Sequence, residues 1–360
     1  MAAEFRRDAT KNGTSAAAFA AFLADVRAMV DAELTRVLDA RVEAAARWAS
    51  PLVAVTGALR SLTLRGGKRF RAALLAAAYE ACGGQGGAKT VAMAGAALEL
   101  LQTYLLIHDD WMDGDDVRRG GPSVHAFLRG EFGSEHVGDT SAILAGDHAS
   151  ALAQELVLEG PLPADRLLAA AREFARIQED VVYGQLLDVH AAVDDGLAVE
   201  RMHELKTGSY TVRGPLVMGA LLAGADAAQC DGLCAFARPL GVAFQLRDDV
   251  LGTFGDPGQT GKPSGNDIRR GKRTALIAEL EGDAEAEALL PRVFGRADAD
   301  EDALAALVVR IEASGARARV EARLDALLAE SVRLLADVPL LPEGRRLLEG
   351  AVHALGLRER

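Results

Sequence analysis

Helical periodicity runs through this chain from about Ala17 to the C terminus and is interrupted at glycine or proline. The breaks fall at Pro51, Gly66-Gly67, Gly83 to Gly87, Gly120 to Pro122, Pro161 to Pro163, Pro257, Pro263 and Pro339. Alanine and leucine dominate, aromatics make up 5% of residues and β-branched runs are scarce, so intrinsic propensity points the same way. The pattern predicts many helices of ordinary length and very little strand. Half of the 360 residues are apolar, enough for one large core or two. No linker composition divides the chain, and no fixed-period repeat marks a solenoid.

Residues 1–16 read as a loose tail, with Glu4, Arg6, Arg7 and Asp8 standing where a signal peptide would need a basic, apolar and cleavage pattern. The longest apolar segment, Val91 to Ile107, is interrupted by Glu99 and Gln102 and runs into His108-Asp109-Asp110, so a membrane span is not expected. A net charge of -12 argues against a nucleic-acid binder, which needs a basic surface to release phosphate counterions. Cys82, Cys230 and Cys234 lack zinc-site spacing; they read as packed thiols and fit a reducing cytoplasm.

Two predicted helices, roughly Lys89 to Asp113 and Ala227 to Phe254 with a kink at Pro239, both end in acidic clusters. In the first, Asp109 and Asp113 share a face and repel each other at the unfavourable end of the helix dipole. A divalent cation relieves both problems, and Mg²⁺ takes a few carboxylates plus substrate phosphate oxygens. A single acidic helix end is ordinarily a solvated surface. Here a second apolar helix ends in Gln245-Leu246-Arg247-Asp248-Asp249, with Gln245 and Asp248 on one face.

Basic segments alternate with these clusters. Arg65-Gly66-Gly67-Lys68-Arg69-Phe70-Arg71 offers exposed backbone N–H groups before a helix, with Lys68 and Arg71 on one face and Arg69 read as a surface cation. Arg118-Arg119 follows the first aspartates; Lys206-Thr207-Gly208 adds a cation with a hydroxyl. Thr260-Gly261-Lys262-Pro263 through Gly271-Lys272-Arg273 follows the second acidic cluster. Acidic segments can hold one diphosphate through metal while basic segments hold another directly.

In the order and identity of these motifs, from about Ala17 onwards, the chain resembles the trans-polyprenyl diphosphate synthases. The matching positions are Gly66-Gly67-Lys68 with Arg71, Gln102, Asp109-Asp110-x-x-Asp113, Arg118-Arg119, Gly146-Asp147, Gln185 with Asp188, Lys206-Thr207, Gln245, Asp248-Asp249, and Lys262 with Lys272. The resemblance implies an all-α single-domain isoprenoid synthase fold over residues 17–360, a helical bundle around a deep central cavity, and usually a homodimer. It implies that Lys68, Arg71, Gln102 and Arg119 hold the diphosphate of isopentenyl diphosphate, with Arg118, Lys206 and Lys262 on that of an allylic partner and Lys272 a further substrate-binding cation. Asp109, Asp113 and Asp248 would ligate Mg²⁺, roughly three ions per site, with Asp110 and Asp249 in the same metal clusters, Asp188 supporting, and Thr207 and Gln245 flanking the reacting carbons.

The chain departs from the common family pattern at Gly252, where many members carry a third aspartate, and more mildly at Trp111 and at Ala72, which replaces a frequent proline. Tyr104, with its neighbour Leu105, is expected near the floor of the substrate pocket. An aromatic there with no insertion between Asp110 and Asp113 resembles geranylgeranyl diphosphate synthases and implies a twenty-carbon product; a farnesyl or longer-chain synthase is the alternative. A class I terpene cyclase also ionises an allylic diphosphate but needs no isopentenyl diphosphate site, against which Gly66 to Arg71 and Gln102 argue. A noncatalytic partner subunit usually loses one metal cluster, whereas Asp109, Asp110 and Asp113 are intact.

Overall fold

The computed structural model describes residues 9–191, 199–255, 265–296 and 298–356. In chain order, α1 (Ala9–Ala46), α2 (Ser50–Leu64) and α3 (Phe70–Ala81) lead through a 3₁₀ turn (Ala88–Val91) into α4 (Ala92–Asp113). A short hairpin, β1 (Val117–Arg118) and β2 (Gly121–Pro122), precedes α5 (Val124–Phe132), α6 (Glu135–Leu158) and α7 (Ala164–Ala191). Next come α8 (Val199–His203), a π-helical segment (Glu204–Arg213), α9 (Gly214–Ala223) and α10 (Ala227–Phe254). The short α11 (Asn266–Arg269) and α12 (Ala275–Ala278) are followed by α13 (Ala284–Val293), α14 (Glu301–Ala313), α15 (Ala316–Ala336) and α16 (Pro342–Gly356). The fold is all-α, and among the described residues the hairpin is the only sheet.

Helices that are apolar all round belong at the centre of a bundle. In α3 every residue except Arg71 and Glu80 is buried, and in α9 every residue except Leu221. These two helices pack on each other at glycine: a methyl on Gly219 would overlap the Leu75 carbonyl, so only the bare backbone admits this approach. Around them, α4 lies along α6, α10 along α15 and α16 along α1. The stretch Ala88–Asp113 is long and apolar enough to cross a membrane, yet 67% of its most apolar window is buried inside the protein, as befits a core helix.

Residues 9–16 depart from the expected tail, because α1 begins at Ala9. Arg346 of α16 donates to the Thr14 carbonyl at 3.4 Å, and the Ser15 backbone abuts Gly350, so α16 gives the first turns a surface to pack on. Of the two helices read from the sequence, the first is a 3₁₀ turn followed by α4, which Gly114 ends in the left-handed region at φ 67°. The second, α10, opens with an Asp226–Gln229 capping box and runs on through Pro239. The three cysteines are free and half-buried. Burial, helped by Cys230 and Asp226, pushes the Cys82 thiol up to about 12, consistent with packed, unreactive sulfur.

Candidate active site

Successive residues of a helix lie about 100° apart, so the adjacent aspartates of α4 cannot do the same work. Asp109 and Asp113, one turn apart, stay accessible at the end of the helix, whereas Asp110 is fully buried. Arg118 reaches back from β1 and donates to Asp110 Oδ1 through Nε at 2.7 Å and through Nη2. The same Nη2 lies 3.3 Å from Asp115 and 3.9 Å from Asp109. Asp110, expected among the metal ligands, is therefore the buried counter-charge that aims Arg118 at the acidic face.

Lys206 arrives from the other side, its Nζ donating to Asp109 Oδ1 at 3.4 Å and to Asp188 of α7. The π-helical segment brings it there by lying directly on α7 at Gly184, where a methyl would overlap the Lys206 backbone. Burial pushes the Asp109 carboxyl up, but Lys206, Lys272 and Arg118 outweigh it and hold that carboxyl below its ordinary value. Burial likewise opposes the charge on Lys206, and Asp109, Asp188 and Asp113 more than restore it. Thr207 and Gln185 are half-buried beside these groups in sequence.

The second aspartate pair divides in the same way. Asp248 is exposed near the end of α10, while Asp249 is 4% exposed and accepts from Gln245 Nε2 at 2.8 Å and from the backbone N–H of Ala275 at 3.2 Å. Burial pushes the Asp249 carboxyl up to about 7. Asp249, expected in the second metal cluster, ties α10 to the start of α12 through both carboxylate oxygens, and Gln245, one turn before it, is bonded to it.

The segment after α10 joins the two clusters through residues the sequence reading passed over. The Asp267 carboxylate fills the space in which a side chain on Gly252 would stand, so a carboxylate occupies that corner despite the missing third aspartate. Three residues on, Arg270 Nη1 donates to Asp113 Oδ2 at 3.0 Å and its Nη2 pairs with Asp115. Lys272 lies 3.9 Å from Asp267, and its charge acts on Asp109. Lys262 lies outside the described residues.

Beside this acidic face is a basic one. Arg65 Nη1 donates to the carbonyls of Arg118 at 3.1 Å and Pro122 at 3.0 Å, and Arg119 Nη1 donates back to the Arg65 carbonyl at 3.3 Å. The hairpin and the glycine turn are thereby locked together. Arg119 holds the left-handed φ of 52°, which lets consecutive arginines diverge, Arg118 to the aspartates and Arg119 to the turn. Arg71 lies 4.3 Å from the Tyr210 ring centre and donates to Thr211 Oγ1 at 2.9 Å; its Nε is a buried donor with no partner among the described residues. Lys68 is exposed on the turn, and Gln102 is half-buried on α4. Burial, with Arg69, Arg71 and Arg118 adding to it against the pull of Glu99, holds Arg119 below its ordinary proton affinity.

Arg69, read from the sequence as a surface cation, is 3% exposed. It donates to Asp31 at 2.7 Å, Glu99 at 2.9 Å and the Thr63 carbonyl at 2.9 Å. Tyr104 and Leu105 are half-buried one turn before His108 and Asp109 respectively; the Tyr104 ring meets His108 edge-on with centroids 4.8 Å apart.

The donor set fits Mg²⁺. Among the described residues no three carboxylate, imidazole or thiolate side chains converge on one point. Accessible oxygens at Asp109, Asp113 and Asp248 alternate instead with Lys206, Arg118 and Lys272. Mg²⁺ is held in this manner when it shares its coordination with phosphate, rather than in an all-protein cage.

Comparison with known proteins agrees with this arrangement. A family model described as polyprenyl synthetase matches residues 53–311. The geranylgeranyl diphosphate synthase of Mycobacterium tuberculosis is 40% identical over 237 residues, 63% of this chain; the chain likewise spans 63% of that relative's length. The geranylfarnesyl diphosphate synthase of Aeropyrum pernix is 34% identical over 307 residues, covering 82% of this chain and 91% of its own. Among solved structures, a geranylgeranyl pyrophosphate synthase from Corynebacterium glutamicum, complexed with isoprenyl diphosphate and magnesium, superposes with a TM-score of 0.85 at 34% identity. The superposition covers 94% of this chain and 99% of that one. The paired acidic and basic faces, their motif order and these likenesses agree: the chain belongs to the polyprenyl synthetase family.

Proposed function

We propose that this chain is a head-to-tail prenyltransferase that condenses isopentenyl diphosphate with an allylic diphosphate to give a trans-polyprenyl diphosphate of twenty carbons. The observation that carries this reading is the parting of Arg118 and Arg119, which sets an acidic face with interspersed cations beside a cluster of arginines and Lys68. Such a pair of faces suits two diphosphates bound in two ways, one through metal and one through arginine and lysine. A cyclase needs only the first.

Asp109, Asp113 and Asp248 are the residues that would hold Mg²⁺, roughly three ions, and the bound metal stabilises charge gathering on the departing diphosphate. Lys206, Arg118 and Lys272 hold that diphosphate and offset the same charge as the allylic C–O bond breaks. Lys68, Arg71, Arg119 and Gln102 hold isopentenyl diphosphate so that its double bond lies against the allylic carbon; a C–C bond forms, and a proton leaves to the released pyrophosphate. Apolar helices keep water from the cation in the interval. Thr207 flanks the reacting carbons, and Gln245 acts through Asp249.

Free, packed cysteines support a reducing, cytoplasmic setting. A homodimer is proposed through α6 and α7, where Leu144, Leu158, Leu168, Val182, Leu186 and Val189 are exposed. The catalytic assignment is checked by replacing Asp109 and Asp113 singly with alanine. Each variant is expected to lose at least about a hundredfold in turnover while keeping its melting temperature; normal turnover in either would sink the metal-face assignment.

A further inference from the structure

Arg69 and Arg119 place two guanidinium groups under one glycine. A methyl on Gly67, which holds φ 102°, would stand 2.8 Å from Arg69 Nη1 and 3.7 Å from Arg119 Nη1, so both charges lie against the same point of the turn. A buried and a half-buried like charge held this close call for a counter-ion. Glu99 of α4 is 2% exposed; its Oε2 accepts from Arg69, while its Oε1 is buried with no hydrogen-bond partner among the described residues, and its charge also acts on Arg119. Arg69 is also pinned to α1 through Asp31 and to α2 through Thr63, and it starts α3 from a left-handed φ of 54°. It is therefore turned inward at 3% exposure, whereas Lys68, next to it on the turn, is exposed.

Resting on the two-diphosphate reading above, we propose that Arg69 and Glu99 are positioning residues of the isopentenyl diphosphate subsite. Glu99 is the buried counter-charge that allows Arg69 and Arg119 to lie together beneath Gly67 and so fixes the turn carrying Lys68 and Arg71. Arg69 touches no substrate; it joins α1, α2 and α4 to the turn. Among the described residues the partners of Arg69 are Asp31, Glu99 and the Thr63 carbonyl, whereas Lys206 of the acidic face pairs with Asp109 and Asp188, so the two substrates are expected to respond differently to the loss of this network.

The test is steady-state kinetics of the full chain, with each substrate varied in turn, on Glu99→Gln and Arg69→Lys, alongside thermal melting. The expected result is a rise of about tenfold in KM for isopentenyl diphosphate with the allylic KM changed less than about twofold, because a misplaced turn weakens one subsite. Equal rises in both values, or no rise in a variant that melts at a lower temperature, would mean that the pair supports the fold alone and would overturn the proposal. If Glu99→Gln does not fold, Asp31→Asn, which removes the most exposed partner of Arg69, is read by the same criterion. Failure of the unsubstituted enzyme to incorporate isopentenyl diphosphate would instead overturn the functional reading on which this one rests.

Discussion

Tyr104 and Leu105 show how one residue of offset on a helix separates two roles. Leu105 precedes Asp109 by one turn and shares its side of the helix, whereas Tyr104 precedes His108 and leans edge-on against it. His108 in turn hydrogen-bonds the Ile143 carbonyl of α6 at 3.0 Å, so the Tyr104 ring is braced in place. Replacing Tyr104 with alanine is expected to lengthen the products, read by mass spectrometry of the dephosphorylated alcohols. Leu105→Ala serves as the comparison, and an unchanged distribution for Tyr104→Ala would remove its ring as the pocket floor. The i, i+4 spacing made Asp109 and Asp113 legible from sequence. It could not tell the buried Asp110 and Asp249 from the accessible aspartates, because that depends on which neighbour, Arg118 or Ala275, closes over each carboxylate. Arg270 and Asp267 were illegible for the same reason, since their partners are distant in sequence.

Among the elements, the π-helical segment matters most to the site, since it carries Lys206 and Thr207 across α7 at Gly184. Gly184→Val would force the segment away from α7, costing about 1–3 kcal/mol in stability and drawing Lys206 off Asp109 and Asp188. A loss of allylic diphosphate affinity larger than the shift in melting temperature accounts for is the expected outcome; unchanged affinity would mean that the close approach is dispensable. The 3.6-residue period marked α4 and α10 clearly because both are long and apolar. It gave no warning of an i→i+5 segment, which a sequence of polar and small residues does not announce, nor of helix before Ala17, where α16 meets the Thr14 and Ser15 backbone.

For the whole molecule, α7 presents exposed apolar side chains, where Val182, Leu186 and Val189 recur at helical spacing. If this surface is the subunit interface, replacing Val182 and Leu186 together with glutamate should convert a dimer to a monomer in sedimentation equilibrium. A dimer that persists would place the interface elsewhere. The condensation is tested most directly by incubating the purified protein with Mg²⁺, labelled isopentenyl diphosphate and each allylic starter of five, ten and fifteen carbons, and identifying the products by mass spectrometry. The expected product is a labelled linear twenty-carbon alcohol after dephosphorylation; an allylic diphosphate consumed without incorporation of label, or converted to a cyclic product, would contradict head-to-tail condensation.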